Sequence, residues 1–255
     1  MENRSLHSSG SMHIDGGDYA DVHVSGSLKV SGDLRCDELH CSGSTKIDGS
    51  MDCGGEVVTS GSVKLTGSSK IGAARISGSF TCEDSLQCDG RLNVSGSAKV
   101  GGALRVGEGI FTGSCSVNGA LHATVLSCSG KLTVEKDVEA ERFQSSGKLE
   151  IHGLLNAEQV EIHVSSGSEI ADIGGGMILT KMDRGWHGFG FSFGGGQGCL
   201  RVRTIEGDRV ELEATQAKVV RGNVVRIGKD CEIDRVEYSG ELILDGGIVR
   251  EQVRV

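Results

Sequence analysis

The chain has 255 residues, of which 41 are glycine, none is proline and only 4% are aromatic, with a formal net charge of −9. So few rings exclude a wide aromatic core, and acidic charge spread along a chain with no basic arm argues against binding to a nucleic-acid backbone. The missing prolines point to a long sheet in which nearly every backbone N–H is paired, because proline cannot donate to a ladder.

From the N-terminus, Met1 to Asp15 lack the apolar run of a signal peptide, and no stretch approaches the ~18 apolar residues of a membrane-spanning helix. The expectation is a cytoplasmic protein, with membrane association left open. The nine cysteines are then expected as thiols rather than as a disulfide framework.

A repeat begins almost at once. Ser-Gly or Thr-Gly recurs at Gly10, Gly26, Gly43, Gly61, Gly78, Gly96, Gly113, Gly130 and Gly147, in steps of 16 to 18 residues. Two and four residues after each glycine the chain is apolar or small: Met12/Ile14, Leu28/Val30, Thr45/Ile47, Val63/Leu65, Phe80/Cys82, Ala98/Val100, Cys115/Val117, Leu132/Val134 and Leu149/Ile151. A second set follows, with Leu34/Cys36, Met51/Cys53, Leu86/Cys88 and Leu155/Ala157 among it, and then a third that includes Val22/Val24, Leu39/Cys41, Ala74/Ile76 and Val160/Ile162. Period two puts alternate side chains on one face, so three such runs per repeat, parted by Gly, Ser or Asp corners, close a triangle with its apolar face inside. No run buries that face alone. Stacking one repeat on the next at about 4.8 Å pairs the backbones and lines up the inward side chains. The fold class expected is all-β: a single-stranded parallel β-helix, or β-solenoid, of about 17 to 18 residues per rung.

Residues 1–164 are expected to form about nine rungs. Residues 165–204 read as an irregular segment, whose Gly-rich stretch carries Trp186, Phe189, Phe191 and Phe193. These four rings fit a flap folded on the rod, a contact to another subunit, as clustered exposed rings usually mark, or a membrane-touching wedge; the flap is preferred, because loops often fold back on their own domain and this one has little Lys or Arg to hold a membrane. Residues 205–255 read as about three more rungs, through Val210/Leu212, Ala217/Val219, Val225/Ile227, Cys231/Ile233, Val236/Tyr238 and Leu242/Leu244.

Candidate chemistry is sparse. Cys36, Cys41, Cys53, Cys82, Cys88, Cys115 and Cys128 fall on inward positions, where a free thiol packs as a small hydrophobe. Cys36, His40 and Cys41 suggest a metal only superficially, since His40 points out while its two neighbours point in. Gly190 to Gly194 spells a Gly-x-Ser-x-Gly nucleophile elbow, but no helix follows it and no histidine lies beyond His187, so the match reads as accidental. No phosphate-binding loop is present. Neither an enzyme nor a cofactor or metal is expected. Lys29, Lys46, Lys64 and Lys99 recur at one outward position, a basic stripe either screened by corner carboxylates such as Asp48 or kept for an anionic partner; the screened reading is preferred.

Both ends look uncapped: Met12 and Ile14 lie within the first repeat, and Ile248, Val249, Val253 and Val255 still alternate like a strand. Open ends favour end-to-end stacking of copies. The glycine-phased rungs, the lack of proline and the run Ile205-Glu206-Gly207-Asp208, Ala217-Lys218-Val219-Val220-Arg221-Gly222-Asn223, Ile227-Gly228 and Cys231-Glu232-Ile233 resemble the bactofilins, bacterial polymer-forming cytoskeletal proteins. The resemblance implies a right-handed, three-sided β-helix that polymerises without nucleotide, with itself as principal partner and envelope or motility proteins as cargo. Two other classes stand beside it. One is a left-handed hexapeptide acyltransferase, for which His122, His152 and His163 would be the candidate bases; the other is a β-helical carbohydrate-binding protein.

Overall fold

The computed structural model describes residues 5–164, 167–182 and 198–255. Among these, every regular element is a β-strand, the pairings are parallel, and the chain winds a β-solenoid of about fourteen turns. The tryptophan and phenylalanines of the expected loop, Trp186, Phe189, Phe191 and Phe193, lie outside the described residues, as does the Gly190–Gly194 motif. Two compact units divide the chain, Met1–Thr124 and Val125–Val255.

In the first unit each turn alternates a strand of three to five residues, such as Ser62–Leu65, with one of eight to ten, such as Ser69–Ile76. The longer strand bends at a register shift in its middle and supplies two sides, so a turn carries three inward pairs. The inward side chains form columns one residue wide. Met12, Leu28, Thr45, Val63, Phe80, Ala98 and Cys115 make one. Cys36, Cys53, Ile71, Cys88 and Val106 make another. Leucine, valine, isoleucine and cysteine dominate because neighbouring columns leave little lateral room. Phe80 and Phe111 nevertheless fit, each essentially inaccessible to solvent.

The phased glycines have a steric cause. At the corner between the third side of one turn and the first of the next, the backbone passes directly over the corner beneath it, and a Cβ on Gly43 or Gly61 would overlap the carbonyl oxygen of Gly26 or Gly43 respectively. The following Ser amide donates to that same carbonyl: Ser44 N to Gly26 O and Ser62 N to Gly43 O, both 3.0 Å. Glycine is therefore required by close approach, without any unusual φ.

The second unit is built differently. Its strands Lys148–Val164, Ser168–Met182, Leu200–Leu212, Thr215–Ile227 and Glu232–Leu244 run unbroken through corners that interrupted the first unit's strands. The segment expected to be irregular, 165–204, thus contains a full strand. Ser168–Met182 lies between Lys148–Val164 and Leu200–Leu212, with Ile173 stacked on Leu155 and on Ile205. The misreading arose because inward residues here are three apart across a corner, as in Ile170/Ile173, Val202/Ile205 and Ile233/Val236, so a search for strict alternation passes over them.

The same parity change moves one expected core residue. Val220, not Val219, is fully buried, stacked between Ile205 and Val236, while Val219 is half-buried at the corner. Tyr238 likewise stands half-buried beyond Val236 rather than in a core column. Ser168 pairs with Leu200, 32 residues on, whereas Leu200 pairs with Thr215 only 15 residues on. The extra length falls between Met182 and Cys199.

Candidate assembly surface

The C-terminal turn is where the core columns run out. Leu242 and Leu244 continue the columns of Val225 and Ile227, but Leu242 is only half-buried and Leu244 is 47% exposed, against 0% for both residues beneath them. The last strand, Ile248–Arg254, pairs with Glu232–Leu244 from Glu232 to Tyr238. Leu242 to Leu244 therefore extend past it.

Of the four residues expected to form this end, the register keeps one in the core. Val249 stacks on buried Ile233, whereas Ile248 stands over Glu232 and Val253 over Glu237, both in outward columns. The inward position above Val236 is taken by Gln252. Between Val249 and Gln252 a corner residue changes which side chains continue the core columns. The result is an end with apolar groups on both faces: Ile248 is 63% and Val255 75% exposed. Among the described residues, exposed large hydrophobics elsewhere in this unit are Leu154 and Met177, each more than two turns away in the ladder.

In the first unit, Met12 and Ile14 stack on Leu28 and Val30 as expected and are half-buried. Leu6–Ser8 pairs with Asp21–Val24, and Leu6 is also half-buried.

The basic stripe is a real column. Lys29, Lys46, Lys64, Thr81 and Lys99 are in register on successive turns. Carboxylates interleave with it: Asp48 lies 2.5 Å from Lys46 and 3.9 Å from Lys29, and Glu83 lies 2.7 Å from Lys64. The hydrogen bond from Lys46 holds the Asp48 carboxyl below its ordinary range, and the bond to Glu83 raises Lys64 above its own. Such pairs in water offset repulsion between like charges one rung apart without much net gain.

The cysteines behave as core. All seven expected inward thiols are buried, as is Cys231, while Cys199 is half-buried. Burial pushes Cys88, Cys128 and Cys231 each up to about 11, and a hydrogen bond to Cys53 followed by burial raises Cys36 further. Thiols held protonated at neutral pH are poor nucleophiles and poor metal ligands.

The histidines of the acyltransferase reading stand on separate outward positions. His152 Nδ1 is 2.8 Å from Glu135, and His163 Nε2 is 3.0 Å from Glu161. A shallow groove of about 1060 Å³ runs along the second unit over Gly175, Gly207 and Gly222. Part of its charged wall is satisfied internally: Arg203 binds Asp172, and Arg221 binds Glu237 at 2.7 Å and Glu206 at 3.6 Å, while Glu158 and Asp208 also line it. Among the described residues, no helix is long and apolar enough to cross a membrane.

A feature that the sequence reading missed is a stack of three imidazoles. His7, His23 and His40 occupy one outward column, with ring centroids 5.0 and 4.9 Å apart and planes tilted by 3° and 13°. Their spacings of 16 and 17 residues match the repeat, so the glycine phase contained the signal.

No family model matches the chain, and no solved structure does. Two proteins of Bacillus subtilis (strain 168) are similar over part of it. The uncharacterized protein YhbE is 44% identical over 96 residues, which is 37% of this chain and 40% of YhbE. The uncharacterized protein YhbF is 40% identical over 88 residues, 34% of this chain and 35% of YhbF. The matches span two fifths or less of either relative's length.

Proposed function

We infer that this protein is a non-enzymatic scaffold that assembles with itself by stacking terminal turns end to end, without nucleotide. The observation that carries the reading is the C-terminal turn, where Leu244, Ile248 and Val255 stand exposed beside open strand backbone. A further parallel turn laid there would pair that backbone and cover Leu242, Leu244 and Val249, and a second copy of the chain offers such a turn at Met12 and Ile14. The resemblance to the bactofilins supports the same reading and extends it to a cytoplasmic filament that organises envelope or motility components.

Electron microscopy and sedimentation of the purified chain test it. Filaments or sheets are expected without added nucleotide, and Leu244→Lys, a change at a position already half open to water, should leave a folded, non-assembling protein. Discrete monomers at every concentration, or assembly unchanged in Leu244→Lys, would overturn the reading.

A further inference from the structure

The imidazole stack sits in a larger patch of metal-binding side chains. Asp21–Val24 and Glu38–Cys41 are neighbouring parallel strands, in register Asp21 to Glu38 and His23 to His40. Alternation sends Val22, Val24, Leu39 and Cys41 into the core, each at most 3% exposed. It turns Asp21, His23, Glu38 and His40 outward together. Two imidazoles and two carboxylates therefore share one small area of sheet, with His7 stacked on its flank.

Several outward carboxylates of the first unit are matched by cations, Asp48 by Lys46, Asp52 by Arg35, Glu56 by Arg75 and Asp89 by Lys70, and others by serine donors, as Asp33 by the Ser50 amide and Asp84 by Ser68. Among the described residues Asp21 has no ion pair, and the partner of Glu38 is His40, at 3.4 Å. Two carboxylates and two imidazoles thus bring oxygen and nitrogen donors together on one face.

We propose that Asp21, His23, Glu38 and His40 form a surface site for a divalent transition-metal ion of the zinc class. Imidazole with carboxylate suits such ions, whereas magnesium and calcium take oxygen ligands alone. Two nitrogens bound to one tetrahedral ion at about 2.0 to 2.1 Å lie roughly 3.4 Å apart. The rings of His23 and His40 are stacked with centroids 4.9 Å apart, so both rings must turn out of the stack for their in-plane lone pairs to meet on one ion. Glu38, already against His40, supplies the third ligand, and Asp21 or a water supplies the fourth. Among the described residues no three such side chains converge on one point beforehand; the ion gathers them. It would clasp the second turn to the third, close to the N-terminal end.

The inference does not depend on self-assembly. Its test uses the full chain stripped with a chelator, titrated with Zn²⁺ by calorimetry and with Co²⁺ by visible absorption. One ion per chain is expected, with a tetrahedral Co²⁺ spectrum that lacks thiolate charge transfer. His23→Gln and His40→Gln, both outward and folded by circular dichroism, should each weaken binding by about tenfold or more. His152→Gln, which removes an imidazole on another turn, should leave binding unchanged. No stoichiometric uptake, uptake indifferent to both His23→Gln and His40→Gln, or a thiolate band pointing to the cysteines would each overturn the site.

Discussion

The two units solve one packing problem with different corners. In Met1–Thr124 the strands break at Ser-Gly corners, and outward columns repeat one side chain: serine at Ser27, Ser44, Ser62, Ser79, Ser97 and Ser114, lysine at Lys29, Lys46 and Lys64, histidine at His7, His23 and His40. In Val125–Val255 the later strands pass through their corners unbroken, and one outward column alternates in charge, with Glu206, Arg221 and Glu237 stacked in order. The comparison teaches that a parallel solenoid tolerates like charge on like charge where the adjacent column answers it, as Asp48 and Glu83 answer the lysines. In the patch of Asp21, His23, Glu38 and His40 the answer to Glu38 is an imidazole rather than a lysine or arginine.

The largest break would come from a charge in the core. Leu65→Lys in the first unit and Leu149→Lys in the second each replace a side chain with 0% exposure. Each should cost roughly 3 to 5 kcal/mol, since a buried ammonium without a partner must be desolvated or neutralised. Because turns contact only their neighbours, the damage should stay in the unit that carries the substitution. Hydrogen exchange measures this directly: protection lost equally in both units would show that they do not fold as separate neighbourhoods.

Corner sterics come next. Gly61→Ala should cost about 1 to 3 kcal/mol, because its Cβ would overlap the carbonyl oxygen of Gly43 and the stacked corner would have to shift. Gly54→Ala, at a corner with nothing within 4 Å of the new carbon, should be neutral or stabilising by up to about 1 kcal/mol. Thermal melts of the pair sharpen the distinction between the phased glycines and the rest, and equal losses would refute it.

The smallest effect expected is electrostatic. Glu150 joins Lys131 and Lys148, stacked on consecutive turns of the second unit, at 2.8 and 2.7 Å. Their hydrogen bonds and charge lower its carboxyl from the ordinary 4.5 to about 2. A carboxyl depressed in the folded state stabilises fully above its unfolded value and loses that contribution as pH falls toward its folded one. The stability advantage of the natural chain over Glu150→Gln should therefore hold at neutral pH, shrink between about 4.5 and about 2 and vanish below. An advantage that persists at the acid limit would assign it to packing instead.

Much of this was legible along the chain because a solenoid converts sequence separation into spatial adjacency at a fixed period. Once Gly26, Gly43 and Gly61 are aligned, Leu28, Thr45 and Val63 must stack, and the Lys29, Lys46 and Lys64 column follows from the same phase. Legibility failed where the period did, at Val219 and Val220 and at Ile170 and Ile173. In each case a corner residue without a backbone break changed which side chains point in, and hydrophobicity alone does not record that shift.

Composition and phase by themselves thus determined the class of fold and the identity of most core columns, since both depend on local alternation and a constant rise per turn. Only the tertiary structure decided which residues close the C-terminal turn and that Asp21, His23, Glu38 and His40 share one patch of sheet. Those outcomes depend on the register between turns, which backbone hydrogen bonds fix and which no single strand contains.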